Sequence, residues 1–412
     1  MIRLSLQEIK FSLTSTRSNS TRPGVYFRFM MKKKIHFLLF TSLWWLMISC
    51  VGQQDGQPLQ QAKYDLQLKD SLVIPIDVTT KPKSRQLQYL EKEQLLVALN
   101  ENKNSLQFYD LRLGKLVKKI KFEREGPQGV GNLNGFLVAG GYYYLLNSYK
   151  YQLFQFDTLG NKLQKYSLLK ANQQPGQGTA TPFAMTSRPP FLNGDMLYLR
   201  GATDVFAAHL KPSDERQLIA LNLTDGAYQY LVPGPKEYDG KEMNINLSMR
   251  EPTFFFITEQ VKVVFSHRYS EYLYVYDLKS GKQQRYPAKT KHFKQVNQMI
   301  ATGDGGSDNL DFYRENSCYS TVVYDKYRKV YYRFVEMPSK KALEMKSIFV
   351  FEYRNLAVII LDENFNQVGE TAVLPPYHDQ NNFFVTQKGL YLRKFTDNED
   401  EMVFSRFELL KR

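Results

Sequence analysis

Along most of the chain, apolar and aromatic residues come in short runs that alternate with polar ones and break at Gly, Asn or Asp, the pattern of strands rather than helices. One element recurs. An apolar strand ends in Asp or Asn, a turn with Gly or Asn follows, and a second strand begins: at 108–115, 154–161, 221–226, 276–282 and, more loosely, 360–366. Asp110, Asp157, Asn222, Asp277 and Asp362 can cap these turns with their own side chains, and Gly supplies positive φ, so each copy is predicted to be a hairpin. Two further strand-like runs precede each hairpin, giving four-stranded units at 85–122, 133–168, 190–232, 253–287 and 318–374.

The last stretch supplies only three strands, at 383–386, 390–395 and 402–409, while the run 72–78 stands alone before the first unit. Pairing that solitary run with 402–409 completes a sixth unit and turns the series into a ring with only short, protected edges. The predicted fold is therefore all-β: a six-bladed β-propeller closed by pairing of the N-terminal strand with the C-terminal blade. The long, irregular unit 318–374 leaves seven blades as the other count. No amphipathic helix of useful length interrupts the pattern, which argues against an α/β enzyme.

Charge alters this picture little. The chain of 412 residues carries 55 Lys+Arg against 41 Asp+Glu, a net +14 that at first suggests nucleic acid. Half of the excess lies in residues 1–50, and the rest is spread along the body without a basic helix, so no nucleic-acid partner is expected.

The N-terminal region gives an address. Lys32, Lys33 and Lys34 precede an apolar run at 35–48, too short to span a bilayer as a helix but suited to the core of a signal peptide. It ends in Met47-Ile48-Ser49-Cys50, which resembles a bacterial lipobox, so Cys50 is the predicted lipidation site. Met31 then makes the natural start, residues 1–30 a misassigned upstream extension, 31–49 the signal peptide, 50–70 the acylated cysteine with a flexible Gln- and Gly-rich tether, and 71–412 the propeller. Val51 after the cysteine favours the outer membrane of the cell envelope, with the membrane engaged through the lipid anchor. Cys318 is then the one free thiol, so no intramolecular disulfide is expected, and both tryptophans, Trp44 and Trp45, leave with the leader.

Several of these features, with Arg124-Glu125-Gly126-Pro127-Gln128-Gly129, Tyr331-Tyr332-Arg333-Phe334, Leu361-Asp362-Glu363-Asn364-Phe365 and Lys388-Gly389-Leu390-Tyr391, resemble a family of Bacteroidetes propeller-like lipoproteins of unknown function, DUF4221-like and similar to six-bladed NHL-type propellers. The resemblance implies the fold and brings no catalytic residues.

Links between units, at 123–132, 169–189, 233–252, 288–317 and 375–382, are far longer than the opposite hairpins, which places the predicted binding surface on the link face around a central channel. Arg188, Arg250 and Arg314 each stand just before the innermost strand of the next unit, with Glu251 and Glu315 beside the latter two and Arg124-Glu125 as a more distant copy. Together with His378 on the last link, they are the candidate ligand-binding residues, an arc of guanidiniums suited to a carboxylate, a phosphate or an acidic sugar.

Other chemistry is thin. Residues 304–311 lack the acidic spacing of a calcium loop, and 397–401 reads as an exposed tip. His209, His267, His292 and His378 lack metal-ligand spacing, and 126–131 matches neither the phosphate loop nor the dinucleotide fingerprint, so no metal and no cofactor are expected. Tyr142, Tyr143 and Tyr144 read as blade packing, with a sugar platform as the other use. The sequence therefore favours a non-enzymatic envelope lipoprotein that binds a protein or saccharide partner. The alternative is a polysaccharide lyase or glycoside hydrolase with its site in the channel, which for a hydrolase requires two carboxylates about 5–9.5 Å apart.

Overall fold

The structure, a computed structural model, describes residues 63–80, 84, 86–168, 180–203, 212–239, 252–293, 307–345 and 353–412. The chain divides into Met1–Pro58 and Leu59–Arg412, and all described residues belong to the second unit. The leader, Cys50, Arg250 and Glu251 lie outside the described residues.

Four small antiparallel sheets follow one another along the chain. The first holds β2 (Leu87–Leu90), β3 (Leu95–Asn100), β4 (Ser105–Asp110) and β5 (Lys115–Lys121); the second β6 (Gly135–Ala139), β7 (Tyr142–Asn147), β8 (Gln152–Phe156) and β9 (Lys162–Ser167). In the third, the innermost strand is split into β10 (Ala180–Phe183) and β11 (Phe191–Asn193), both paired with β12 (Met196–Thr203), and β13 (Arg216–Asn222) and β14 (Tyr228–Pro233) follow. The fourth holds β15 (Thr253–Ile257), β16 (Lys262–Ser266), β17 (Tyr272–Asp277) and β18 (Gln283–Pro287).

An eight-stranded sheet completes the propeller-like arrangement. One half is β19 (Cys318–Asp325), β20 (Val330–Met337), β21 (Asn355–Asp362) and β22 (Gln367–Glu370); the other is β23 (His378–Thr386), β24 (Gly389–Lys394), β25 (Glu401–Lys411) and β1 (Tyr64–Pro75). The halves meet at one parallel pair, Tyr64 with Gly369.

The solitary early strand lies where the pattern put it, antiparallel to β25 with Leu72 opposite Phe404, Val73 opposite Val403 and Ile74 opposite Met402. It starts at Tyr64, however, so residues 64–70 belong to the sheet and not to a tether. The reason is its outer position. Leu66 is buried while Gln67, Leu68, Lys69 and Asp70 stay exposed, so the segment carries the polarity of a linker while pairing along its whole length. Arg406 clamps it from β25 through two bonds to Asp70, of 2.8 and 2.6 Å.

All five hairpins form as read from their turns. Asp110 accepts from the Arg112 and Leu113 amides, Asp157 from Leu159 and Asn161, Asp277 from Lys279 and Ser280, and Asp362 from Asn364 and Asn366, while Asn222 accepts from Thr224. The fifth, looser copy has no glycine, and Phe365 itself takes the left-handed conformation at φ +63°.

Each sheet packs both faces against neighbours, which explains why its central strands are apolar on both sides. Tyr143 belongs to the core between the first and second sheets and Tyr144 to the core between the second and third, so these rings are packing residues and not a sugar platform. Further cores join the third sheet to the fourth, the fourth to the β19–β22 half, and the two halves to each other. A last core sets Ile74, Phe384 and Phe404 against Leu87, Leu96 and Tyr109 of the first sheet. The circuit of cores thus returns to its start.

Among the described residues, two short α-helices depart from the all-strand reading: α1 (Ser307–Glu315), inside the link 288–317, and α2 (Lys340–Glu344), between β20 and β21. Their shortness hides them in the sequence. Among the described residues no helix is long and apolar enough to cross a membrane.

Candidate functional site

Strand direction alternates within each four-stranded unit, so links and the connections between second and third strands share one end, while the Asp-capped hairpins share the other. The link end is where polar side chains become buried together. Two features stand out there.

The first fills the middle of the ring. The link 169–189 contains β10 and then a tight turn in which Met185 and Arg188 exchange backbone bonds of 3.2 and 3.0 Å. That turn touches four other innermost strands. Leu87 N donates to Thr186 Oγ1 at 2.8 Å, and Thr186 Oγ1 donates to Asn382 Oδ1 at 3.2 Å. Phe254 N donates to the Ser187 carbonyl at 3.2 Å, and Arg188 Nε to the Pro252 carbonyl at 3.0 Å. Ala184 lies against Gly135 so closely that a Cβ added at 135 meets its methyl at 2.6 Å. A segment bonded to strands from the first sheet, the fourth sheet and the β23 half, and packed on the second, occupies the axis. Ala184, Thr186 and Ser187 are buried accordingly.

The second feature is a buried charge cluster beside it. Glu336, at the end of β20, is fully buried. Its Oε1 accepts from Gln380 Nε2 of β23 at 2.5 Å and lies 3.5 Å from Arg268 Nη1, while its Oε2 accepts from the Tyr313 hydroxyl of α1 and lies 3.5 Å from Arg354 Nε. The Tyr313 ring sits near both guanidiniums, 5.3 Å from Arg268 and 4.3 Å from Arg354. Burial pushes the Glu336 pKa up; Arg268, Arg354 and the Tyr313 hydroxyl overcome it and hold the carboxyl below its ordinary range. Arg354 also donates to the carbonyls of Tyr313, Asn316 (2.6 Å) and Glu336 (3.2 Å), which pins the end of α1 to the sheet. Cys318 lies 3.6 Å from Arg268 Nη1, and burial raises its thiol pKa, so it is a packing group and not a poised nucleophile.

Between this cluster and the first sheet is a cavity of about 10 Å³ bounded by Ser84, Asp379, Asn382 and Arg393, with room for one water-sized group. Asp379 is half-buried, accepts from Asn382 Nδ2 at 2.7 Å and Asn381 N at 2.9 Å, and has its pKa raised by burial against the pull of those bonds and of Arg393. Arg393 is buried, its pKa brought down by burial to about 10, and its Nε and Nη1 have no hydrogen-bond partner among the described residues. These groups can hold a hydroxyl or a water. Glu336, the neighbouring carboxylate, is itself fully buried against Tyr313 and two guanidiniums.

The candidate residues from the sequence that lie among the described ones each have their own local surroundings. Arg124 is exposed and donates to the carbonyls of Glu101 and Asn102, at 3.3 and 2.8 Å, and Glu125 is exposed beside it. Arg188 belongs to the axial turn. Arg314, at the end of α1, pairs with Asp311 and donates to the Met345 carbonyl, and Glu315 is exposed. His378 is buried at the start of β23, its Nε2 3.0 Å from Ser405 Oγ and its ring edge-on to Phe407, and burial lowers its pKa. Arg124, Arg188 and Arg314 thus serve three different local contacts. Of the 304–311 segment, 304–306 lie outside the described residues and 307–311 form the start of α1. Among the described residues no group of three or more His, Cys, Asp or Glu is placed to hold a metal.

Glu336, Arg268, Arg354 and Tyr313 were not picked out from the sequence. The signal available was Glu336 itself, a lone acid within the apolar run Val330–Met337. A charge in such a run requires a partner, but the partners come from three other segments.

Comparison with known proteins agrees with the fold. A member of the DUF4221 family from Bacteroides vulgatus superposes with a TM-score of 0.73 at 20% identity, over 86% of this chain and 100% of that one. A protein of Bacteroides fragilis assigned as exported gives 0.50 at 12% identity, over 83% and 95%. No curated protein matches the chain. The signature of DUF4221, a domain of unknown function, covers residues 63–372, and the chain belongs to that family.

Proposed function

We propose that the chain is an envelope lipoprotein, acylated at Cys50, whose propeller is a binding or scaffold module for a protein or saccharide partner at the link face. In this reading the eight-stranded sheet counts as two blades joined at their outer edges, which makes six. The observation that carries the proposal is the axial turn. Among the described residues, 184–188 are bonded across the middle of the ring, which supports recognition at the link surface and not within a bore. The exported assignment of the Bacteroides fragilis neighbour is in keeping with an envelope address.

The test has two arms. Mass spectrometry of the membrane-extracted protein should find a diacylglyceryl group on an N-terminal Cys50, and Cys50→Ser should release the protein from the membrane fraction. Photocrosslinkers at Arg124, Glu125 and Glu315 on the link face should capture one common partner, with Leu159 and Lys279 at the hairpin end as silent controls. Equal capture from both ends, or glycan cleavage by the purified protein, overturns the binding reading.

A further inference from the structure

The outermost strands of the four small sheets, β5, β9, β14 and β18, are free edges, and lysine there is a common device against edge-to-edge aggregation. The lysines are not evenly shared. β5 carries Lys115, Lys118, Lys119 and Lys121, and the neighbouring β9 carries Lys162 and Lys165, with no acid in either strand. The other two free edges are poor in cations: β14 has none and β18 has Arg285. Edge protection alone calls for charge at every edge, so it does not account for six cations on two adjacent ones.

These two strands form one surface. Lys118 donates to the Tyr143 hydroxyl at 3.1 Å and the Thr158 carbonyl at 3.4 Å, and Lys162 donates to the Pro127 carbonyl. Lys118, Lys162 and Lys165 also lie over Phe108, Tyr143 or Phe154. Oxygen and ring partners orient the ammonium groups without cancelling them. Lys119, paired with Asp77 at 2.9 Å, is the one of the six with a carboxylate partner among the described residues. Asp110 and Asp157 are taken up by their own turns, and Glu123 and Glu125 lie beyond on the link.

Aliphatic side chains are interspersed. Leu159 is 84% exposed, Leu113 60%, Leu163 51% and Val117 46%. Leu113 and Leu159 project from the hairpin tips, away from the link face.

We infer that the outer edges of β5 and β9, with the tips at Leu113 and Leu159, dock on an anionic membrane surface. An acidic polymer or protein would take up the lysines, but it leaves the four exposed aliphatic groups without a role; a lipid surface takes up both, charge at the headgroups and aliphatic tips at the acyl boundary. Such docking turns the link face away from the membrane. It stands beside acylation of Cys50 and does not require it.

The test measures partition of the full chain, carrying Cys50→Ser in every arm, onto vesicles of phosphatidylcholine with and without phosphatidylglycerol. Any contribution of the leader is then common to all arms. Replacing the six lysines by Gln should lower partition onto the anionic vesicles about 100-fold, from about fivefold per lysine with three bearing on the surface at once. Leu113→Ser with Leu159→Ser should weaken partition while leaving its salt dependence, and raised salt should reverse binding of the chain with all six lysines. Equal partition of the lysine variant and its parent, or partition indifferent to salt and to phosphatidylglycerol, overturns the inference even if the variant folds poorly, because the salt series uses the unsubstituted patch. Strong binding of dextran sulfate with no vesicle partition assigns the surface to an acidic polymer and also overturns it.

Discussion

At the scale of single residues, the decisive fact is that Glu336 is fully buried with two cationic neighbours. Removing its charge leaves the part-buried Arg268 and the fully buried Arg354 without the carboxylate they share, so Glu336→Gln is expected to destabilise the fold by about 3–5 kcal/mol in denaturant unfolding. A loss within experimental error shows that the cluster is not held by its central carboxylate. His378 gives a pH signature of definite sign. Burial holds its pKa below the ordinary 6.5, so as pH falls through 6.5 the unfolded chain binds a proton before the folded one does. The stability it provides is complete above pH 6.5 and drains away as pH falls toward the folded pKa. His378→Gln should therefore flatten the fall of stability in the window just below pH 6.5, measured by denaturant midpoints; an unchanged slope rejects the assignment. The sequence made His378 a ligand candidate because it sat on a link. It did not disclose that β23 begins at that residue and turns it inward onto Ser405 and Phe407.

At the scale of elements, most of the architecture was legible because turns carry local chemistry. Asp110, Asp157, Asp277 and Asp362 each bond amides two to four residues ahead, so a short window of sequence contains the whole device. What could not be read locally was β10 and the axial turn, whose partners Leu87, Gly135, Phe254 and Asn382 are dispersed over the chain. The start of β1 was hidden for a related reason, since an outer strand needs only one buried row. Closure is nevertheless testable at Ile74, which is fully buried in the core shared with the first sheet. Ile74→Ala should cost about 2–5 kcal/mol, the range for a large-to-small change in a packed core, whereas Val73→Ala on the exposed row should cost far less. Similar losses at both positions are incompatible with the register found here.

For the whole molecule, the axial turn makes the ring a solid body held from its centre. Gly135→Val forces a branched side chain into the space of Ala184 and should destabilise by about 1–3 kcal/mol or more, whereas a spare bore tolerates it. Processing has an optical readout. With both tryptophans at 44 and 45, a chain cleaved before Cys50, as proposed, should emit as a tyrosine protein, and tryptophan emission from the membrane fraction shows that the leader is retained. The seam between β1 and β25 carries a further consequence, for biogenesis. The first described strand to be synthesised has as its mate the last one, with more than three hundred residues between Leu72 and Phe404. Until the tail arrives, Ile74 and its neighbours remain bare, an adhesive apolar edge that invites wrong partners, so dependence on holdase chaperones follows from the order in which this ring can be sealed.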